Sequence, residues 1–439
     1  MINHIKKLLP KSIKTKLLPL KAKLVDNPKK RKLFLYMQNK HQELLQEIKG
    51  KEKIKVVFLA IHKSVWKVDP VFKKMLDDPY FEPVILTCPY VQYGKERMLE
   101  DLKAAYEYFD SKGYPVISSY NEQNGTWIQL EDLKPDIIFF TNPHNLTRPE
   151  YYEEAYKKYL SIYVPYYFMA TDHAGDADGL YNTRFLLAMF KVFWPSEYHK
   201  SCQNNYSINK ATNGVGVGYS ATECFSSEGF KNPNVWKHQL SARKKIIFAP
   251  HHTIEENQKS LSSFLLLADF MKELAVKYSD SVQWSFKPHP ILKSKLYQHN
   301  DWGIEKTERY YQFWQKNEHT QLDEGEYEDL FYFSDAIIHD SSSFIAEYVF
   351  TGKPALYLMA PDKVNAVVND FGKMFLSHYH ISDRQEDIIQ FIENVIIGKA
   401  DAQDNIQLKN YINHYYVERK PSELIIEEIK RSILVNYEK

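Results

Sequence analysis

Short apolar runs recur along this chain, most of them closed by a polar or proline-marked turn and followed by a stretch of helical periodicity. "IKVVFLA" (Ile54 to Ala60) is the first, followed by the loop "IHKSVWKVD" and a helix from about Pro70. "FEPVILTCP" reads as the next strand, and "GKERMLEDLKAAYEYFDSKG" as an amphipathic helix stopped by Gly113. "YPVISS", "PDIIFFTNP" and "YLSIYVPYYF" continue the series, and "YNTRFLLAMFKVFWPSEYHKSCQNNY" adds a helix, a strand and a capped helix. Such alternation predicts a doubly wound parallel sheet with helices on both faces, ending near Cys224.

After "SSEGFKNPNVWKHQLSARK", whose Gly, Pro and Asn suit a linker, the pattern restarts. "KIIFAP" and a polar loop precede a long helix from about Lys259 to Tyr278, "VQWSFKPHP" is a strand ending in a basic turn, and "HTQLDEG" is a short strand running into a helix. "DLFYFSDAIIHDSSSFIAEYVFTGKPALYLM" supplies strand, polar turn, helix and strand, and "SELIIEEIKRSILVNY" closes as an amphipathic helix. The predicted organisation is a basic N-terminal segment (1–50), a Rossmann-like acceptor domain (51–225), a linker (226–243), a second Rossmann-like domain that binds the donor (244–415) and a helix (416–439) packing back on the first domain. Two such domains facing a central cleft make the α/β architecture called GT-B. A length of 439 residues is enough for two cores.

Composition removes several classes. A formal charge of +1 gives no argument for nucleic acid, and Cys88, Cys202 and Cys224 are too few and too scattered for a disulfide framework or a CxxC metal knuckle. No apolar run reaches the roughly 18 to 20 residues of a membrane span, and Lys and Pro interrupt the early runs, so no cleavable signal peptide is expected. The charge is uneven, however. In the first 32 residues Lys6, Lys7, Lys11, Lys14, Lys16, Lys21, Lys23, Lys29, Lys30, Arg31 and Lys32 face Asp26 alone, with Ile2, Ile5, Leu8, Leu9, Ile13, Leu17 and Leu18 between them. Short basic amphipathic helices broken by Pro10 and Pro19 suit an anionic membrane surface, which predicts a peripheral protein at the cytoplasmic face of the cell membrane. A solvated basic extension is the plainer alternative.

Three polar turns of the second series follow strands of one sheet and should open on one edge: "FAPHHT" with His251 and His252, "FKPHP" with Lys287 and His289, and "HDSSS" with Asp340, Ser341, Ser342 and Ser343. Ser342 or Ser343 is expected to cap a helix from Phe344 to Phe350, leaving its first N–H groups for an anion. Glu347, one turn in, is placed to reach ribose hydroxyls. Lys287 and a protonated His289, stiffened by Pro288 and Pro290, would neutralise phosphate. The plainer reading of the third turn is an N-cap with Asp340 bonding its own loop. Adjacent His251 and His252 are expected to diverge and no carboxylate partner accompanies them, so no metal is expected. The first series offers His173 beside Asp172 as the preferred general base, with His62 next to Lys63, and His144, as alternatives.

The order of these turns resembles the CDP-glycerol glycerophosphotransferase family of teichoic acid and capsule polymerases, which carries Ala-Pro-Thr-Trp-Arg, Lys-x-His-Pro and Thr-Asp-Tyr-Ser-Ser, then Lys-Pro. The likeness covers about 55–439 and is specific from Ile246 to Leu358. His251-His252 stands where the family has Thr-Trp, Glu347 where it has Asp, and Asp172-His173-Ala174-Gly175 where it has Trp-His-Gly. The resemblance implies attack of an acceptor hydroxyl on the β-phosphorus of CDP-glycerol or another CDP-alditol, CMP leaving, with Lys287, His289, Ser342 and Ser343 stabilising charge and His173 activating the hydroxyl. It implies no cofactor, a lipid-linked or polymer acceptor, and no nucleic-acid partner. A nucleotide-sugar glycosyltransferase, a UDP-N-acetylglucosamine 2-epimerase type and a non-catalytic binding scaffold are the competing readings.

Overall fold

The computed structural model describes residues 26–92, 94–171, 177–226, 232–255, 261–401 and 405–434. Two compact units emerge: the first holds the chain up to Tyr166, Ala177–Ser220 and the stretch from Pro421 on, the second the segment from Tyr167 and Ala221–Lys420.

In the first unit seven strands form one parallel sheet: β1 (Ile54–Ala60), β2 (Phe81–Thr87), β3 (Val116–Ser118), β4 (Ile137–Phe140), β5 (Leu160–Tyr163), β6 (Lys191–Trp194) and β7 (Gly214–Gly216). Their order is β3-β2-β1-β4-β5-β6-β7, so the winding reverses beside β1. The apolar runs become strands because both faces are covered, which parallel sheets require. Phe58 and Phe139 stack across β1 and β4 (centroids 4.5 Å apart), and Trp66 and Phe72 close over Phe58. The helix Pro421–Leu434 belongs to this unit, burying Ile425, Ile429 and Ile433. It is pinned by Lys74–Glu423 (3.0 Å) and Lys191–Glu428 (2.6 Å).

The helix Asn27–Glu47 also packs here, through Leu33, Met37, His41, Leu44 and Leu45. That apolar stripe is therefore buried in protein, while Leu35 and Tyr36 on another face stay exposed. The stretch that carries Pro10, Pro19 and most of the early lysines lies outside the described residues.

The second unit repeats the scheme with six parallel strands: β8 (Lys244–Ala249), β9 (Val282–Phe286), β10 (Thr320–Leu322), β11 (Ala336–His339), β12 (Ala355–Tyr357) and β13 (His380–Ile381). The order is β10-β9-β8-β11-β12-β13. Its core is aromatic: Phe286 stacks on Trp314 (5.2 Å), and Phe264, Trp302 and Tyr310 form the next layer. The helix predicted from about Lys259 runs from Phe264 to Lys277.

Candidate functional site

The adjacency of β9, β8 and β11 brings the three polar turns to neighbouring positions on one edge of the second sheet. Asp340, directly after β11, is fully buried, and its carboxylate accepts the N–H of His251 (2.5 Å) and of Ser263 (2.7 Å). It is thus a tie between loops rather than a group facing a ligand. Burial pushes its pKa up to about 7, against the pull of those two N–H groups. Ser263 adds a second link, its hydroxyl donating to the Leu358 carbonyl (3.0 Å). The first turn is closed by Thr253, whose Oγ1 lies 2.9 Å from His251 Nδ1 and accepts the N–H of Leu261 (2.8 Å).

The ladder between β8 and β9 continues past the strand ends, with Lys287 N–H on the Phe248 carbonyl (2.8 Å) and His289 N–H on that of Pro250 (3.0 Å). That register sets His289 against the first turn. The His251 and His252 rings lie 4.3 Å apart by centroid, and His289 is 5.1 Å from the first and 4.2 Å from the second. The expected divergence of the adjacent pair does not occur, because the turn folds both rings toward the Pro288-His289-Pro290 segment. Burial, then the other imidazoles and Lys295, push His251 down to about 2; burial and then Lys295 bring His252 to about 4; burial and then His252 bring His289 to about 3. All three are neutral at pH 7. A protonated His289 that neutralises phosphate is therefore corrected: the cation would be buried beside two further imidazoles and a lysine. Lys287 is 6% exposed, and its ammonium donates to the Gly325 carbonyl.

The third turn also differs from expectation. The α-helix after it spans only Phe344–Glu347 and tightens into a 3₁₀ turn, Tyr348–Thr351. Ser343 stands at the N-cap in helical conformation (φ −69°, ψ −43°) and its hydroxyl makes no capping bond. A capping side chain needs an extended backbone to fold back over the first turn, so the predicted serine cap is absent here. Ser341 is buried, Ser342 and Ser343 are partly exposed. Glu347 is buried and accepts the Tyr327 hydroxyl, which turns its carboxylate inward instead of toward a ribose.

His339, the last residue of β11, opens the third polar turn and stands where the resembled family has Thr, but the sequence assigns it no role. It is fully buried among Phe344, Tyr357 and Tyr379, neither ring nitrogen makes a well-formed hydrogen bond, and burial brings it down to about 3 against a weak opposing contact with the Ser341 backbone. A histidine closing an otherwise apolar strand was the available signal.

In the first unit, His62 and His144 follow neighbouring strands β1 and β4. His62 caps the short turn Lys63–Val65, its Nδ1 accepting the Ser64 N–H (3.2 Å), and its pKa is lowered chiefly by burial. Lys63 is exposed, with its ammonium 5.9 Å from the Tyr108 ring. His144 is exposed, Nε2 lying 3.2 Å from the Tyr166 hydroxyl. Asp172 and His173 lie outside the described residues. The residues leading to them belong to the second unit: Asn369 holds Met169 through its amide (2.8 Å) and Ala170 through its N–H (3.1 Å), and Thr171 bridges Val368.

Among the described residues no helix is long and apolar enough to cross a membrane. No protein-family model matches the chain, and comparison with curated proteins finds no relative. Solved structures do resemble it. A variant of the wall teichoic acid polymerase TagF aligns over 98% of this chain and 100% of its own at 12% identity and a TM-score of 0.54. The UDP-GlcNAc 2-epimerase of Methanocaldococcus jannaschii, in complex with UDP-GlcNAc and UDP, aligns over 86% and 99% at 16% identity and 0.53. That of Neisseria meningitidis, bound to UDP-GlcNAc, gives 86% and 100%, 15% and 0.50. At such identities the likeness speaks for the fold, and the fold is GT-B, as its paired parallel sheets led us to expect.

Proposed function

We propose that this chain is a transferase that moves an alditol phosphate, glycerol phosphate first among them, from a CDP-activated donor to a hydroxyl of a lipid-linked or polymeric cell-surface acceptor. The acceptor oxygen bonds to the β-phosphorus, the bond from that phosphorus to the bridging oxygen breaks, and CMP leaves. The hydroxyl proton passes to a base, for which His173 remains first choice, ahead of His62 and His144. The observation that carries this reading is the side-by-side placement of the turns after β9, β8 and β11, where the winding reverses and open α/β sheets bind their ligands. Lys287 and the N–H groups of Ser341 to Ser343 are the donors proposed to face developing phosphoryl charge. The likeness to TagF over nearly the whole of both chains supports the polymer-synthesis context. A glycosyltransferase using a nucleotide sugar is the second reading, favoured by the equal likeness to proteins solved with UDP-GlcNAc.

Purified full-length protein incubated separately with CDP-glycerol, CDP-ribitol and UDP-GlcNAc, plus lipid-linked acceptor, separates the two. CMP release is expected, and Lys287→Met should lower kcat about 10²-fold, the scale of one lost transition-state donor. UDP release with no CMP would move the chain to the second reading. Release of neither nucleotide, from any donor, would overturn both.

A further inference from the structure

We propose that His251, His252 and His289 form a binding site for one divalent transition-metal ion of the zinc class, with a coordination position left open for water or an oxyanion. One ligating nitrogen from each ring lies within 4.8 Å of the others. Bonds of about 2.0–2.1 Å at tetrahedral angles place nitrogens about 3.4 Å apart, so the rings close by no more than about 1.4 Å. The donors come from rigid backbone. His251 is fixed through its N–H on Asp340, and His289 sits between two prolines with its N–H on Pro250.

Two further observations favour an ion over mere packing. The rings stand 4.2–5.1 Å apart by centroid, yet no hydrogen bond joins them. His252 Nδ1 is buried and meets no hydrogen-bond partner outside its own residue, so its lone pair is open to a ligand in the tautomer protonated on Nε2. At His251, Nδ1 lies 2.9 Å from Thr253 Oγ1 and accepts the Thr253 N–H at 3.3 Å; with Nε2 on the ion, that long N–H contact would give way to Nδ1–H donating to Oγ1, the arrangement that orients metal-bound histidines. His289 Nδ1 has only a long contact from the Ile291 N–H, 3.3 Å, which ring rotation would release. Glu255, held by Lys295, is the acidic group whose charge acts on His252. All-nitrogen donation selects zinc, cobalt, nickel or copper over magnesium and calcium, and three protein ligands are the number found where zinc keeps an open position.

This inference goes beyond the transfer reaction and needs no nucleotide for its test. Chelator-treated full-length protein titrated with Co2+ should develop visible d–d absorption that saturates at one equivalent and is displaced by Zn2+. His252→Ala and His289→Ala should each weaken Co2+ binding by at least 100-fold, while His414→Ala, remote and exposed, should not change it. Cu2+-loaded wild-type protein, read by electron spin-echo modulation, should count three coordinated imidazoles, which keeps the proposal testable if a variant fails to fold. Absence of the d–d bands, affinity unchanged in both alanine variants, or fewer than three imidazoles would overturn it. Nucleotide release by metal-free protein at full rate would leave the transfer reading standing without the metal, and metal binding without nucleotide release would do the converse.

Discussion

The two units open their central strands identically and finish them differently. The N–H of Lys55 donates to Asp136 Oδ2 (2.9 Å) and that of Lys245 to Asp335 Oδ2 (2.8 Å). The ladders then run in the same register, Val56 beside Ile137 and Ile246 beside Ala336. Counted from those lysines, the first unit carries Ile61, Cys88, Phe140 and Thr141 where the second carries His251, His289, His339 and Asp340. Even the tie between strand ends reverses polarity: Thr141 Oγ1 donates to the Leu59 carbonyl (2.8 Å), whereas Asp340 accepts two N–H groups. Backbone topology delivers the edge in both units, and the side chains at these four positions set its chemistry: apolar and neutral in the first, imidazole and carboxylate in the second.

Breaking the tie gives the largest expected difference between the units. Asp340→Leu strands one buried and one partly buried N–H group, each costing about 1–3 kcal/mol, so a loss of about 2–6 kcal/mol should appear as a lower urea midpoint. Thr141→Val removes a single neutral bond and should cost about 1 kcal/mol. Equal losses would erase the contrast. A smaller effect concerns His339. Its folded pKa is depressed to about 3 from 6.5, so between those values the unfolded chain holds the extra proton. The stability tied to it is complete above pH 6.5 and falls with acidification, by about 2 kcal/mol at pH 5. His339→Phe, which imports the first unit's residue, should lessen the loss between pH 7 and pH 5 by about 2 kcal/mol in urea unfolding, leaving the share that His251, His252 and His289, depressed in the same direction, contribute. A variant that loses stability as steeply as the parent would remove His339 from this account.

Most of the frame was legible in the residues. Apolar runs such as "IKVVFLA" and "VQWSF" are strands because nothing else buries so many consecutive side chains in so few residues. The three polar turns announced themselves by type and by place. Legibility failed where the outcome depended on a partner distant in sequence. Two adjacent histidines converge only because the β9 ladder brings His289 to them, and Asp340 turns inward only because Ser263 lies in range. The helix after Ser343 is short for a local reason: Thr351 Oγ1 bonds back to the Tyr348 carbonyl (2.7 Å) and Gly352 turns left-handed (φ +67°), ending the run early. The fold is therefore periodicity made visible, whereas the site is a matter of register.

The strand openings provide the finest test, because here the units should behave alike in kind and differ only in degree. Asp136→Asn and Asp335→Asn each keep an amide oxygen for the strand's N–H and discard the ion pair. Asp136 is 8% exposed and paired to Lys51 at 2.5 Å, while Asp335 is 36% exposed and 3.3 Å from Lys244. Water screens the second pair far more than the first. The expected losses are about 1 kcal/mol for Asp136→Asn and about 0.3 kcal/mol for Asp335→Asn. Raising NaCl to about 1 M, where the Debye length falls to about 3 Å, should shrink the Asp335 loss first. If Asp335→Asn proves the costlier change, the shared clamp is not what sets the register of both sheets, and the four-position comparison loses its reference point.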